Sequence, residues 1–185
     1  MMHRGKITIL IAALAASTIS SAPPTNAQVQ EIPSETDSIT IPYVLSDTPP
    51  SEPADVPSES QISAEPLAAS YGPCTLTIDN VHNRKSSNWG AVGFKARTEC
   101  SQPVTSIHHS SDLRYKYYAW WNKALSNVTA TAYNTNHLVQ KNVTLQCNGD
   151  VSTKFAGVTL GIIVYNGKTY YARNYSKVAT LNCKV

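Results

Sequence analysis

The sequence lacks the short motifs that mark common catalytic and nucleotide-binding sites. It contains no Gly-x-Ser-x-Gly nucleophile elbow, no His-Glu-x-x-His zinc motif, no phosphate-binding glycine loop and no Ca²⁺-binding loop. It also lacks the Cys-x-x-Cys spacing of zinc and redox sites, because 25, 46 and 35 residues separate its four cysteines. We therefore predict no catalytic residues, no metal site and no cofactor.

No apolar run near the N-terminus is long enough to span a bilayer, which takes about 20 residues. Residues 7–16 are apolar or small apart from Thr8, follow Arg4 and Lys6, and are followed by a small residue, Ala27. This order is typical of a secretory signal peptide. We predict a signal peptide over residues 1–27, with a membrane anchor as the alternative. The mature protein is then expected to be secreted, extracellular or associated with the cell envelope, and not inserted in a membrane.

Basic residues are absent from residues 28–70, which carry eight acidic residues and a formal charge of −8. This range also holds seven prolines and has too little apolar surface to offset the entropy lost on ordering. We predict a disordered acidic linker over residues 28–70. One apolar island, ITIPYVL at residues 39–45, is either a local fluctuation or a short motif that adds a strand to a sheet edge.

Cysteine and tryptophan are absent before residue 71, whereas residues 71–185 hold all four cysteines, all three tryptophans and nine of the ten tyrosines. We therefore place the folded domain at residues 71–185. This range carries 13 lysines and arginines against four acids, a formal charge of +9 that opposes the linker. Such asymmetry suggests an interaction surface or intramolecular attraction.

Apolar residues alternate with polar ones through the domain, and no helical repeat of any length is present. Cysteine falls in phase with the apolar residues in four segments, at 74–79, 92–100, 143–147 and 179–183. Because neighbouring strand residues face opposite sides, this phase predicts strands whose cysteines face the core.

Further strands are predicted at 104–116, 120–133, 155–164 and 168–173, and Asn166-Gly167 favours a tight hairpin turn. About eight short strands favour an all-β fold, a small β-sandwich with two disulfides and an immunoglobulin-like arrangement as one possibility. A small barrel is the alternative.

Four cysteines in an exported protein predict two disulfides, for which three pairings exist. Strand geometry favours one of them. If residues 74–79 and 91–100 form a hairpin, Cys74 lies beside Cys100, and Cys147 then pairs with Cys183.

The four spaced cysteines, the segment VGFKARTEC at 92–100 followed by Pro103-Val104, and the Leu-then-Trp segment at 113–121 resemble a group of small secreted two-disulfide β-domain proteins from high-GC Gram-positive bacteria. The resemblance covers residues 74–183. It implies an extracellular location and a β fold, and it implies no reaction.

Two groups of residues offer possible chemistry. His108 and His109, followed by Asp112, form the most site-like cluster, but adjacent strand residues face opposite sides, so we expect one half-buried and one exposed histidine. Glu99 is the only glutamate of the domain. With a histidine and the arginines 97 and 114 it would supply the groups of a ribonuclease-like site.

Aromatic and basic residues are densest at 113–121 (LRYKYYAWW), and a second such run lies at 170–175. Their alternation fits one core face and one solvated face. Alternatively, exposed aromatic rings form a stacking platform beside cations that hold phosphate or carboxylate groups. The candidate binding surface then consists of Arg114, Lys116, Tyr118, Trp120, Tyr171 and Arg173.

Three functions remain open. The leading hypothesis is a secreted, non-catalytic module whose basic surface binds an anionic polymer or an acidic protein surface, with the acidic linker as an intramolecular competitor. The second is a secreted hydrolase or toxin that acts on RNA. The third is a structural surface protein.

Overall fold

The computed structural model describes residues 38–52 and 70–185. The predicted signal peptide, residues 1–27, and the predicted linker residues 28–37 and 53–69 lie outside the described residues. Within the described ranges the chain forms ten strands and one short 3-10 turn, Lys85–Ser87, so the all-β class is confirmed. No helix in these ranges is long and apolar enough to cross a membrane.

Seven of the strands form one sheet in the order β10-β8-β9-β1-β2-β5-β6, and the other three form a small sheet in the order β3-β4-β7. The strands are β1 (Ile39–Leu45), β2 (Tyr71–Ile78), β3 (His82–Asn83), β4 (Ala91–Gly93), β5 (Ala96–Tyr117), β6 (Trp120–Gln140), β7 (Thr144–Gln146), β8 (Ser152–Tyr165), β9 (Lys168–Tyr175) and β10 (Ala179–Asn182). Neighbouring strands in both sheets are antiparallel.

Five strands are hydrogen-bonded in a circuit that returns to its start. Strand β5 pairs with β8, β8 with β9, β9 with β1, β1 with β2, and β2 with β5. The 22 residues of β5 make this possible, because one edge pairs first with β2, at residues 96–100, and then with β8, at residues 106–115. Strand β6 pairs with the other edge of β5. The core lies among these strands, and its largest fully buried apolar side chains are Tyr43, Leu76, Ile78, Phe94, Ile107, Leu113, Phe155 and Ile163.

Strand β1 lies within the range 28–70 that the sequence analysis assigned to a linker, and here the structure differs from the prediction. Tyr43 is fully buried, and Ile39 and Ile41 pack against the core. These three residues alternate along the strand, so a single face of β1 points inward. The apolar island therefore adds a strand to this chain's own sheet, and the β domain includes residues that precede residue 71.

Two disulfides are confirmed, one between Cys74 and Cys100 and one between Cys147 and Cys183. Cys74 and Cys100 are directly opposite each other on β2 and β5, which is the adjacency that favoured this pairing. Cys74 and Cys183 are buried, while the other two cysteines are partly buried against the core. Disulfides persist in oxidising compartments, so the bonds indicate an extracellular or other oxidising environment.

Several predicted strands have different limits in the structure, and the one predicted at 120–133 extends to Gln140. The segment 92–100 is divided, since Ala91–Gly93 forms β4 in the small sheet and a new strand begins at Ala96. That strand, β5, then runs through Pro103 without a break.

The predicted hairpin is confirmed, because Asn166 and Gly167 both have positive φ and join β8 to β9.

Candidate functional site

Successive side chains of β8 point to opposite sides of the large sheet, and this alternation identifies the outer side. Gly157 and Gly161 face the core, since a Cβ there would lie within 3 Å of the Phe94 and Tyr43 rings. The alternate β8 residues and their partners on β5 and β9 therefore point away from the core, and these β8 residues are Ala156, Val158, Leu160 and Ile162. We term this side the outer face. It carries Asp112 and Arg114 from β5, and Tyr171, Arg173 and Tyr175 from β9.

Four charged residues meet on the outer face, and we term them the ion-pair cluster: Glu52, Asp112, Arg114 and Lys123. Arg114 is 3% exposed, and its guanidinium forms an ion pair with Oε1 of Glu52. The Lys123 Nζ lies 2.7 Å from Oδ2 of Asp112 and 3.1 Å from Oε1 of Glu52. The hydrogen bond that Lys123 donates to Asp112 is the main cause of a raised pKa for this lysine, and the carboxylate of Glu52 adds to it.

A bulge in β6 positions part of this cluster. Asn127 has φ of 53° and is left out of the pairing with β5. Its backbone N–H donates a 2.9 Å hydrogen bond to Oδ1 of Asp112. The carboxylate of Asp112 is therefore held between a backbone N–H and Lys123, which fixes its orientation on the outer face.

Residues 46–52, which follow β1, lie across the outer face. A hydrogen bond from the Ser46 hydroxyl to the Thr48 carbonyl turns the chain after β1. The Arg173 Nε then donates a 3.2 Å hydrogen bond to the carbonyl of Pro50, and Glu52 joins the ion-pair cluster. The segment is thus bonded to β9 and, two residues later, to β5 and β6.

Tyr175 lies on the same face and contributes a buried hydroxyl. The residue is 6% exposed, and its OH group has no hydrogen-bond partner among the described residues. Burial raises the pKa of the phenol, while the positive charges of Arg173 and Arg114 act to lower it. The hydroxyl therefore stays protonated at neutral pH and is available as a donor.

A second group of candidate residues forms the hairpin between β5 and β6, and we term residues 116–121 the aromatic tip. Tyr117 pairs with Trp120, and Tyr118 has φ of 52°, a rare conformation for a bulky residue. The tip extends beyond Tyr115, the last β5 residue that pairs with β8. Three of its aromatic side chains are 60%, 85% and 73% exposed, namely Tyr117, Tyr118 and Trp120.

Cations accompany these rings. The Lys116 Nζ lies 6.0 Å from the centroid of the Trp121 ring. The base of the tip borders an open cleft of about 340 Å³, whose lining includes Tyr117, Lys116 and Lys184. The site thus combines aromatic faces with two ammonium groups.

The structure divides the six predicted surface residues between two places. Lys116, Tyr118 and Trp120 belong to the aromatic tip. Arg114 and Arg173 lie on the outer face, where residues 50–52 contact both of them. Tyr171 lies on the same face, half-buried and opposite Val44 of β1.

The sequence analysis missed Glu52 and Lys123. Tyr175 belongs to the aromatic run at 170–175 but was not among the six predicted surface residues. Glu52 and Arg114 are 62 residues apart in sequence, so no local pattern joins them. The opposed charges of residues 28–70 and 71–185 were the one signal of such a contact.

The groups considered for hydrolysis are not assembled around one point. Glu99 is exposed and lies opposite His137 on β6. The guanidinium of Arg97 forms a 2.7 Å ion pair with Asp79. His109 is fully buried, whereas His108 faces the other side and contacts a threonine hydroxyl of β6.

The imidazole of His109 belongs to a buried chain of polar groups. Its Nε2 lies 2.7 Å from Oγ1 of Thr98, which lies 2.6 Å from the hydroxyl of Tyr43. Burial is the main cause that lowers the pKa of His109 to about 4, and the nearby His108 adds to it. Burial raises the pKa of Tyr43 well above its usual range. Both groups are therefore neutral at physiological pH.

Within residues 38–52 and 70–185, no group of three or more histidine, cysteine, aspartate or glutamate side chains is placed to hold a metal ion. No family model matches this sequence, and neither a curated protein nor a solved structure shows significant similarity to it. The two surfaces are therefore interpreted from their own geometry.

Proposed function

We propose that this protein is a secreted, non-catalytic module of the extracellular space or cell envelope, and that its basic, Tyr- and Trp-rich surface binds an anionic partner. The observation that carries the proposal is the aromatic tip. A buried tyrosine or tryptophan removes about 150–250 Å² of surface from water. Three such side chains are exposed at one hairpin and do not gain that stabilisation. An exposed apolar patch of this kind is typical of a surface that a partner covers.

The charges around the tip support an anionic partner. Residues 71–185 carry a formal charge of +9, and Lys116 and Lys184 line the cleft beside the exposed rings. Aromatic faces stack on bases or sugars, while ammonium groups attract phosphate or carboxylate groups. The acidic residues before β2 act as an intramolecular competitor in this proposal, and the contact of Glu52 with Arg114 supports it.

Export is proposed from the layout of residues 1–27, and the two disulfides support it. Of the two architectures expected from the sequence, the sandwich and the small barrel, we propose the barrel. The support is the closed circuit of five strand pairings, which leaves no free edge within the circuit.

The proposal is tested by binding of a single-stranded oligonucleotide and of polyphosphate to the secreted protein over a series of salt concentrations. We expect Trp120→Ala to weaken oligonucleotide binding by roughly five- to 150-fold, since one stacked base contributes about 1–3 kcal/mol. Lys116→Gln should reduce the salt dependence of binding to both probes.

The matched control is Tyr133→Ala, which removes a 72% exposed aromatic side chain from β6 outside the tip. It should leave the affinity unchanged. Binding by the wild-type protein that is insensitive to salt, or equal losses in Trp120→Ala and Tyr133→Ala, would contradict the proposal.

A further inference from the structure

The Glu52 carboxylate occupies a position that is built for an anion. Both Arg114 and Lys123 contact its Oε1 atom, and the Arg114 side chain is only 4% exposed. A cation this deeply buried is stable only with an anionic partner. Asp112 contacts Lys123 on the other side, so the two carboxylates hold the lysine between them. The position therefore suits one carboxylate, delivered from the solvent side of the outer face.

The segment that carries Glu52 makes a second contact with the outer face. Arg173 donates a hydrogen bond to the carbonyl of Pro50, two residues before Glu52. No helix or turn forms over residues 49–52. One backbone carbonyl and one side-chain carboxylate at this spacing define an extended peptide, whereas a bare ion would use only the second contact.

One hydrogen-bond donor on the outer face has no acceptor among the described residues. The buried Tyr175 hydroxyl has no hydrogen-bond partner among the described residues, although most buried polar groups have one. Tyr175 is two residues from Arg173 on β9, and the charges of Arg173, Arg114 and Glu52 all act on it. Residues 46–52 thus satisfy the cations of this face but not its hydroxyl group, so a ligand with one more acceptor would fit the face better.

We propose that the outer face is a binding site for an extended acidic peptide, and that residues 46–52 of this chain occupy it as a tethered copy of that ligand. This inference rests on the proposed function and narrows the class of partner: the aromatic tip contacts an anionic polymer, while the outer face takes an acidic peptide. A tethered segment competes at an effective concentration in the millimolar range. The affinity for a separate acidic peptide therefore depends on how strongly Glu52 binds to Arg114 and Lys123.

The test uses a capped synthetic peptide with the sequence of residues 46–52, SDTPPSE, titrated into the secreted full-length protein and followed through the backbone amide signals of Lys123 and Tyr175. Glu52→Gln in the protein removes the tethered carboxylate and should raise the affinity for the peptide about tenfold, which corresponds to about 1.4 kcal/mol. The same peptide with Glu52→Gln should lose most of its binding, since it presents no carboxylate.

The matched control is Asp47→Asn, which removes one negative charge from the same segment. Asp47 is exposed and makes no ion pair among the described residues, so this variant should bind the peptide as the wild-type protein does. Equal gains in Glu52→Gln and Asp47→Asn would overturn the proposal, because they would reflect net charge alone. A gain for inorganic phosphate that matches the gain for the peptide would also overturn it, because it would reveal a simple anion site.

The two proposals fail independently. Trp120→Ala should leave peptide binding at the outer face unchanged, since among the described residues no hydrogen bond or ion pair joins the tip to residues 46–52. Loss of polyanion binding at the tip therefore bears on the proposed function, while the Glu52→Gln comparison bears on the outer face. If Glu52→Gln perturbs the fold, Glu52→Asp gives a second measure: it keeps the negative charge but shortens the side chain that reaches Arg114 and Lys123, so it should loosen the tethered carboxylate and raise the affinity for the peptide. An unchanged affinity in Glu52→Asp would contradict the proposal.

Discussion

Acidification is expected to destabilise this fold through His109, which is buried beside Thr98 and Tyr43. The folded protein holds the neutral imidazole, because burial and the neighbouring His108 lower its pKa from 6.5 to about 4. An unfolded chain has no such restriction. As the pH falls below 6.5, the unfolded state takes up a proton that the folded state does not, and the free energy of unfolding decreases.

The size of the effect follows from the same pKa. At about 1.4 kcal/mol for each pH unit, a pKa lowered from 6.5 to about 4 corresponds to a loss of about 3–4 kcal/mol. The loss develops between pH 6.5 and pH 4 and is complete below that range, where both states carry the proton. Well above pH 6.5, where neither state carries the proton, this histidine makes no pH-dependent contribution.

Urea unfolding between pH 7 and pH 4 measures this loss. His109→Gln removes the titrating group and keeps a polar partner for Thr98, so its stability should depend less steeply on pH than that of the wild type. Carboxylates titrate in the same range, so the difference between the two proteins is the quantity of interest. The control is His137→Gln, at an exposed histidine of β6, which should follow the wild-type profile. An NMR titration of the His109 ring gives an independent reading. A ring pKa near 6.5, or parallel stability profiles for wild type and His109→Gln, would refute the reasoning.

Three further outcomes are expected. Asn174→Ala should lower the free energy of unfolding by about 2–3 kcal/mol in urea denaturation, because the buried Asn174 amide donates hydrogen bonds to carbonyls of both β1 and β2. The control Asn142→Ala, at an exposed amide, should lower it by less than about 0.5 kcal/mol, and equal losses in the two variants would contradict this prediction. Gly161→Ala should cost about 1–3 kcal/mol in the same assay, since a Cβ would lie 2.1 Å from the hydroxyl oxygen of Tyr43, and unchanged stability would show that the ring can move aside. Purified protein should leave RNA intact in a gel assay, because the acid and base groups are dispersed; cleavage that Glu99→Gln abolishes would reverse this expectation.

Much of the β domain could be predicted because each signal was local. The phase of cysteine with apolar residues identified the segments around β2, β7 and β10, and the Asn166-Gly167 turn fixed the hairpin of β8 and β9. The continuity of β5 was missed because Pro103 cannot donate a ladder hydrogen bond. In the structure Pro103 lies where the pairing of β5 with β6 is interrupted, between Glu99 and Val104, so the missing N–H removes no bond from the regular ladder.

Strand β1 and half of the candidate site could not be predicted, because both depend on contacts between distant parts of the chain. The flanks of β1 are acidic and proline-rich, and that composition outweighed a seven-residue segment that is apolar apart from Thr40. Its burial is fixed by partners such as Asn174, which bonds to the Ile39 carbonyl 135 residues away. Arg114 and Arg173 were recognisable as basic residues on strands, but the segment that contacts both of them, residues 50–52, follows from the path of the chain after β1.

The join between β1 and β9 is the shortest in the strand circuit, with only two residue pairs, Val44 with Tyr171 and Leu45 with Tyr170. Neither disulfide-bonded loop contains β1, so no covalent cross-link holds it in place. Among the ten strands described, β1 is synthesised first, whereas its neighbour β9 is synthesised ninth. We expect completion of this join to be the final event of folding, and the amides on either side of it to be the first in the sheet to exchange with deuterium.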